Sequence, residues 1–112
     1  FYARQTMLTT GGYAATPNDD EIVAAIRMLA ETEGIFTETA GGVTLAATKT
    51  LIAQGKIGKD DGPIIVSITG QGLKTQDPLV EVLPKPDLIG PKLADFDALL
   101  SGPMKSFANL NL

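Results

Sequence analysis

The stretch Ile64-Ile65-Val66-Ser67-Ile68-Thr69-Gly70-Gln71-Gly72 sets the strongest demand on the fold. Branched apolar residues that run without a polar alternation, opened by Gly62-Pro63 and closed by two glycines, need cover on both faces. That predicts an α/β fold, with this strand buried inside a parallel sheet and flanked by helices. Open α/β sheets bind ligands at the carboxyl ends of their strands. Ser67, Thr69 and the bare backbone of Gly70 and Gly72 stand at or near that end. Two readings are open for them. The hydroxyl of Thr69 meets a ligand, or Thr69 satisfies a strand terminus while the glycines make a turn.

The rest of the chain is read around this strand. Phe1 to Ala15 show no clean period and predict a loop or short strand. Thr16-Pro17-Asn18-Asp19-Asp20-Glu21 is a helix start, with Asn18 as cap and Glu21 placed to reach back to the cap amide. Ile22, Val23, Ile26, Leu29 and Ala30 then form a helical stripe that Gly34 stops. Ile35 to Glu38 is a short extended segment that delivers Glu38 to the mouth of a second helix. That helix runs from near Ala40 to Gln54 with small residues throughout, and Gly55 ends it. A polar turn over 56–63 leads into the buried strand. The order fits a partial three-layer α/β/α unit. Beyond Thr75 the composition changes: prolines at 78, 84, 86 and 91 punctuate the chain, with an edge strand expected over Leu79–Leu83. A last short helix carries Leu93, Phe96, Leu99 and Leu100 on one face and is stopped by Gly102-Pro103. The expected division is therefore 1–76 for the α/β part and 77–112 for a proline-rich tail.

Composition removes several classes of function. The net charge is −4, and no basic stripe with interleaved aromatics is present, which argues against nucleic acid and anionic membranes. No apolar run reaches the ~18 residues of a membrane helix, and no leader segment opens the chain, which points to the cytoplasm. With no cysteine and no histidine, disulfides, thiolate chemistry and Ser-His-Asp triads are excluded. The first residue is Phe1, which suggests a processed product or a piece cut from a longer polypeptide.

No catalytic residue and no metal site stand out among what remains. The lysines lie mostly in polar turns or on exposed helix positions, where nothing activates an amine. Asp19, Asp20 and Glu21 suit a helix start better than a metal. Gly11-Gly12, Gly41-Gly42 and Gly70-Gln71-Gly72 can each approach an anion, yet none matches a phosphate loop or a dinucleotide fingerprint. Glu38 is unusual at a helix mouth. It either lines a site, favours the positive helix end, or pairs with a lysine.

Three blocks together are more specific: Asp19-Asp20-Glu21-Ile22 through Leu29-Ala30-Glu31-Thr32-Glu33-Gly34-Ile35-Phe36, then Thr37 to Ala47, then Ile68-Thr69-Gly70-Gln71-Gly72-Leu73-Lys74-Thr75. In that order and spacing, over roughly residues 10 to 76, the chain resembles the carboxy-terminal third of the threonine synthases, which are fold-type II pyridoxal-phosphate enzymes. The family often has proline where this chain has Thr39. The resemblance implies pyridoxal 5'-phosphate as cofactor. It places Thr69 as the hydroxyl partner of the ring nitrogen and Glu38, Ala40, Gly41 and Gly70 along the cofactor pocket. It implies conversion of O-phosphohomoserine and water to threonine and phosphate. The family's Schiff-base lysine, cofactor-phosphate loop and substrate-phosphate ligands belong to an earlier part of the chain and are not found here. The fragment is therefore expected to be inactive without the amino-terminal part of the same enzyme, and to self-associate through uncovered apolar surface as a homo-oligomer. The alternatives are a non-catalytic binding or assembly module on this architecture, or part of a threonine deaminase-like enzyme.

Overall fold

The helix predicted after Thr16 forms as its sequence requires. In a computed structural model, which describes residues 1–101, helix α2 spans Asp19–Glu33 and opens on a reciprocal cap. The Asn18 side chain accepts the Glu21 N–H at 2.9 Å, and the Glu21 carboxylate accepts the Asn18 N–H at 2.7 Å. Two orphan donors are satisfied within four residues of chain. At the other end Gly34 adopts φ 68°, a conformation that costs glycine nothing, and its N–H bonds the Ala30 carbonyl at 3.1 Å.

Helix α3, Thr39–Ala53, packs along α2 on a seam of small and branched residues. Ile26 and Ala25 of α2 are buried there, as are Gly42 and Ala46 of α3. Gly42 decides how closely the helices approach. A β-carbon on it would lie 2.7 Å from Ile26 Cγ1 and 3.0 Å from the Ile22 carbonyl oxygen, inside contact distance. Only hydrogen fits, so Ile26 seats directly on the α3 backbone.

Helix α1, Tyr2–Thr10, corrects the expectation of a loop or short strand at the amino terminus. None of its residues is buried, so no hydrophobic period is imposed on it. Intrinsic propensity at Ala3, Arg4, Gln5, Met7 and Leu8 suffices for the helical backbone. Gly11 closes it, and the Gly12 N–H bonds the Met7 carbonyl at 2.8 Å. Tyr13, just after it, lies under the Lys56 ammonium at 4.9 Å.

The strand at 64–69 is not formed, which corrects the expected buried strand flanked by helices and the three-layer α/β/α arrangement. Among the described residues the sole β-bridge is antiparallel, between Thr37 and Gln71. Residues 63–69 make no backbone hydrogen bond among the described residues, and Ile65 is 88% exposed. The reason is that a strand is a cooperative object. β-Branched residues favour the extended backbone, but burial on both faces and a paired ladder require neighbouring strands, and no described residues supply them.

A 3₁₀ turn at Lys59–Asp61 forms the polar connection. A second, at Gly72–Lys74, follows the Thr37–Gln71 bridge. The expected edge strand at 79–83 is instead the short helix α4, Asp77–Val80, with Pro78 in its first turn and Leu79 buried. Proline presets the helical φ there and removes a donor that a ladder would need. The chain divides into two compact units, Phe1–Val82 and Leu83–Leu112. In the second, helix α5 spans Leu93–Ser101, and the Asp95 N–H bonds the Lys92 carbonyl just before it. Leu93, Phe96, Leu99 and Leu100 are all exposed. The expected stop at Gly102-Pro103 lies outside the described residues.

Candidate functional site

Two segments meet at the amino-terminal end of α3. The first, Phe36–Gly42, enters the helix; the second is Gly70–Thr75. The Glu38 N–H donates to the Gly70 carbonyl at 3.0 Å, and the Gly72 N–H donates to the Phe36 carbonyl at 2.9 Å. The buried Thr37 hydroxyl sits 3.2 Å from both the Glu38 and the Gly70 carbonyl oxygens. The turn itself is held locally by Gln71, whose side-chain oxygen accepts the Leu73 N–H at 3.1 Å.

The α3 terminus is capped from this second segment. Glu38 occupies the cap position, but its side chain makes no capping bond. The Thr39 N–H donates instead to the Thr75 hydroxyl, 36 residues along the chain, at 3.0 Å. The Glu38 carboxylate points elsewhere: it is buried and pairs with the Lys74 ammonium at 2.7 Å. Of the readings open for Glu38 in the sequence, the lysine partner is therefore present. The Ala40 and Gly41 N–H groups make no hydrogen bond among the described residues, as expected for the first turn of a helix.

The five residues singled out in the sequence are brought to one place, but they divide in what they offer. Thr69 is exposed, its hydroxyl makes no hydrogen bond among the described residues, and it directly precedes the Gly70 carbonyl fixed by Glu38. Ala40 is also exposed, in the first turn of α3. Gly41 and Gly70 serve packing: a β-carbon on Gly41 would overlap the Thr37 side chain, and one on Gly70 would overlap the Glu38 carboxyl. Gly72 meets the Phe36 ring in the same way, 2.5 Å from a would-be β-carbon. Phe36, Thr37, Lys74 and Thr75 were not singled out in the sequence. One clue to them was available: glutamate is a poor cap where Ser, Thr, Asp or Asn is usual, so a helix beginning on Glu38 needs a capping group from elsewhere.

The family model described as "Pyridoxal-phosphate dependent enzyme" matches residues 1–70, more than half of the chain. The chain belongs to the pyridoxal-phosphate dependent enzyme family. Among its relatives is a threonine synthase of Methanocaldococcus jannaschii, 37% identical over 84 residues, which is 75% of this chain and 20% of the relative. A threonine synthase of Methanosarcina acetivorans is 33% identical over 90 residues, 80% of this chain and 21% of the relative. One from Halalkalibacterium halodurans is 36% identical over 73 residues, 65% of this chain and 20% of the relative. The chain thus spans about a fifth of the length of these relatives. The second match is long enough that it must include residues 23–90, so both segments of the site lie within it. Among the described residues no helix is long and apolar enough to cross a membrane.

The chemistry of these residues is compatible with one wall of a pyridoxal-phosphate site. Thr69 offers an exposed hydroxyl free to donate or accept, Ala40 offers a small exposed apolar surface in the first turn of α3, and the open N–H groups of that turn favour negative charge. The Glu38 carboxylate is engaged by Lys74, and Gly41 and Gly70 contribute by letting the two segments close on each other.

Proposed function

We propose that the chain is the carboxy-terminal portion of a threonine synthase, supplying one wall of the cofactor site for the conversion of O-phosphohomoserine and water to threonine and phosphate. The observation that carries this reading is the pairing of Phe36–Gly42 with Gly70–Thr75, which leaves Thr69 exposed directly before the Gly70 carbonyl that Glu38, at the start of α3, holds. The similarity to threonine synthases across both segments supports the substrate.

When bound, pyridoxal phosphate would supply the electron sink that this conversion needs. Thr69 would hold the ring by a hydrogen bond to its nitrogen. As a neutral hydroxyl it leaves that nitrogen free of the enforced protonation a carboxylate would bring, so it moderates the sink. Ala40 would offer the ring a small apolar surface, Gly41 lets α3 close on Thr37, and Glu38 and Gly70 hold the Thr69 segment in register with them. On this reading residues 1–76 belong to a fold-type II catalytic domain and residues 77–112 form a tail. Ile64 to Ile68 become a strand once the amino-terminal part of the enzyme, or a further copy in a homo-oligomer, supplies partner strands. The exposure of Ile64, Ile65 and Leu73 is in keeping with such cover. The fragment without that part is inactive.

The test is to assemble these residues with the rest of the enzyme and pyridoxal phosphate, add O-phosphohomoserine, and follow cofactor absorbance and phosphate release. Phosphate release only in the assembly is expected, with Thr69→Val lowering kcat/KM on the order of tenfold, the worth of one ordinary hydrogen bond. Absence of both signals in a demonstrably assembled protein would overturn the reading in favour of a non-catalytic module. Deamination of threonine without phosphate chemistry would point to the deaminase alternative.

A further inference from the structure

Resting on that reading, we propose that Lys74 is a positioning residue for the cofactor wall: its ammonium holds the buried Glu38 carboxylate and thereby fixes the turn that carries Thr69 against α3. Lys74 touches no reacting atom. Its effect passes through Glu38, whose N–H holds the Gly70 carbonyl next to Thr69.

Several otherwise unconnected features of the sequence follow from this one contact. Glutamate stands at the start of α3, where it makes no cap, because its carboxylate is needed for the second segment. Glycine stands at 70 because any β-carbon there would occupy the carboxyl position. Thr75 follows Lys74 and takes over the cap that Glu38 leaves, through the Thr39 N–H. The charges are placed unequally. The Glu38 side chain is 8% exposed while that of Lys74 is 71% exposed. The acid is therefore the member that cannot remain alone, since a buried carboxylate without a partner is costly to keep ionised. Removing Lys74 leaves Glu38 to reorganise or draw water, and either displaces the Gly70 carbonyl and the hydroxyl next to it.

The experiment uses the complete enzyme and four variants: Lys74→Met, Lys74→Arg, Glu38→Gln and the double Glu38→Gln/Lys74→Met. Two quantities are measured, the affinity for pyridoxal phosphate and amide exchange at Glu38 and Gly72, the two donors that join the segments. Lys74→Met should weaken cofactor binding and speed both amides by about tenfold. Lys74→Arg, which keeps the charge, should stay within about threefold of wild type. In the Glu38→Gln background Lys74→Met should add less than about twofold, because the partner it neutralises is gone. Unchanged amide exchange and affinity in Lys74→Met would overturn the proposal, and so would an equal effect of Lys74→Met in both backgrounds. A wild-type enzyme that takes up no cofactor would defeat the proposed function separately, and the amide exchange would still decide whether Lys74 holds the turn.

Discussion

Helices α2 and α3 have the same length, 15 residues each, yet they begin in opposite ways. The start of α2 is settled by Asn18 and Glu21, neighbours in sequence that satisfy each other's backbone. The start of α3 is settled by Thr75 and Lys74, more than thirty residues downstream. A local cap makes a helix that forms wherever the chain is. A distant cap makes helix formation depend on the docking of another segment, and so couples a local event to a tertiary one. The candidate site lies at the second kind of terminus. Residues that must move or lock together with a ligand are well placed where local structure is incomplete without a long-range contact.

The strongest way to break this comparison is to remove the surface both helices share. Among the described residues the buried apolar core is small: Ala25, Ile26, Ala46 and Leu79. Ile26 is its largest member and rests on Gly42. Ile26→Ala should cost about 3 kcal/mol, the middle of the range for a large-to-small change in a core. Urea unfolding measures it. A loss below about 1 kcal/mol would mean that α3 does not depend on α2.

The two caps separate at a smaller scale. Thr75→Val should cost about 1.5 kcal/mol and Asn18→Ala about 1 kcal/mol, typical of lost caps. Their reach should differ more than their size. Asn18→Ala should speed amide exchange at Glu21 alone, whereas Thr75→Val should speed it at Thr39, Glu38 and Gly72 together. If Thr75→Val affects only Thr39, the cap and the docking of the second segment are independent.

This contrast also explains what was legible in the sequence. α2 was readable to its ends because its cap, stripe and stop all lie within its own window: Asn18 with Glu21, Ile22 to Ala30, and Gly34. α3 was readable in extent, since Gly55 marks its end and its small residues run continuously. Its cap was not, because Thr75 carries no local mark of its role. The strand at 64–69 failed for a related reason. Its branched residues favour an extended backbone, but a buried strand also needs partner strands, and among the described residues there are none to pair with. α1 failed in the other direction: a helix with no face to bury shows no period. The Glu38 and Thr69 positions were legible as unusual, yet only the meeting of the two segments separates an engaged carboxylate from an open hydroxyl.

The smallest expected effect sharpens the comparison most directly, because it varies burial while holding the kind of interaction fixed. Arg27 and Glu31 on α2 form an ion pair at 3.4 Å, with side chains 45% and 46% exposed. Like Glu38 and Lys74 they join one acid to one base, but both members face water. Solvent screens the attraction, and two long side chains lose rotamer freedom to hold it. Arg27→Ala should therefore cost no more than about 0.5 kcal/mol at low salt and nothing measurable in high salt. Urea unfolding of Arg27→Ala beside Lys74→Met, at both salt concentrations, provides the check. The small effect of the α2 pair should vanish in high salt, while the α3 pair should keep most of its effect, since the carboxylate it serves is already removed from solvent. Equal, fully screened losses would show that the burial of Glu38 does not set the strength of its contact with Lys74, and the two helix termini would then differ in connectivity alone.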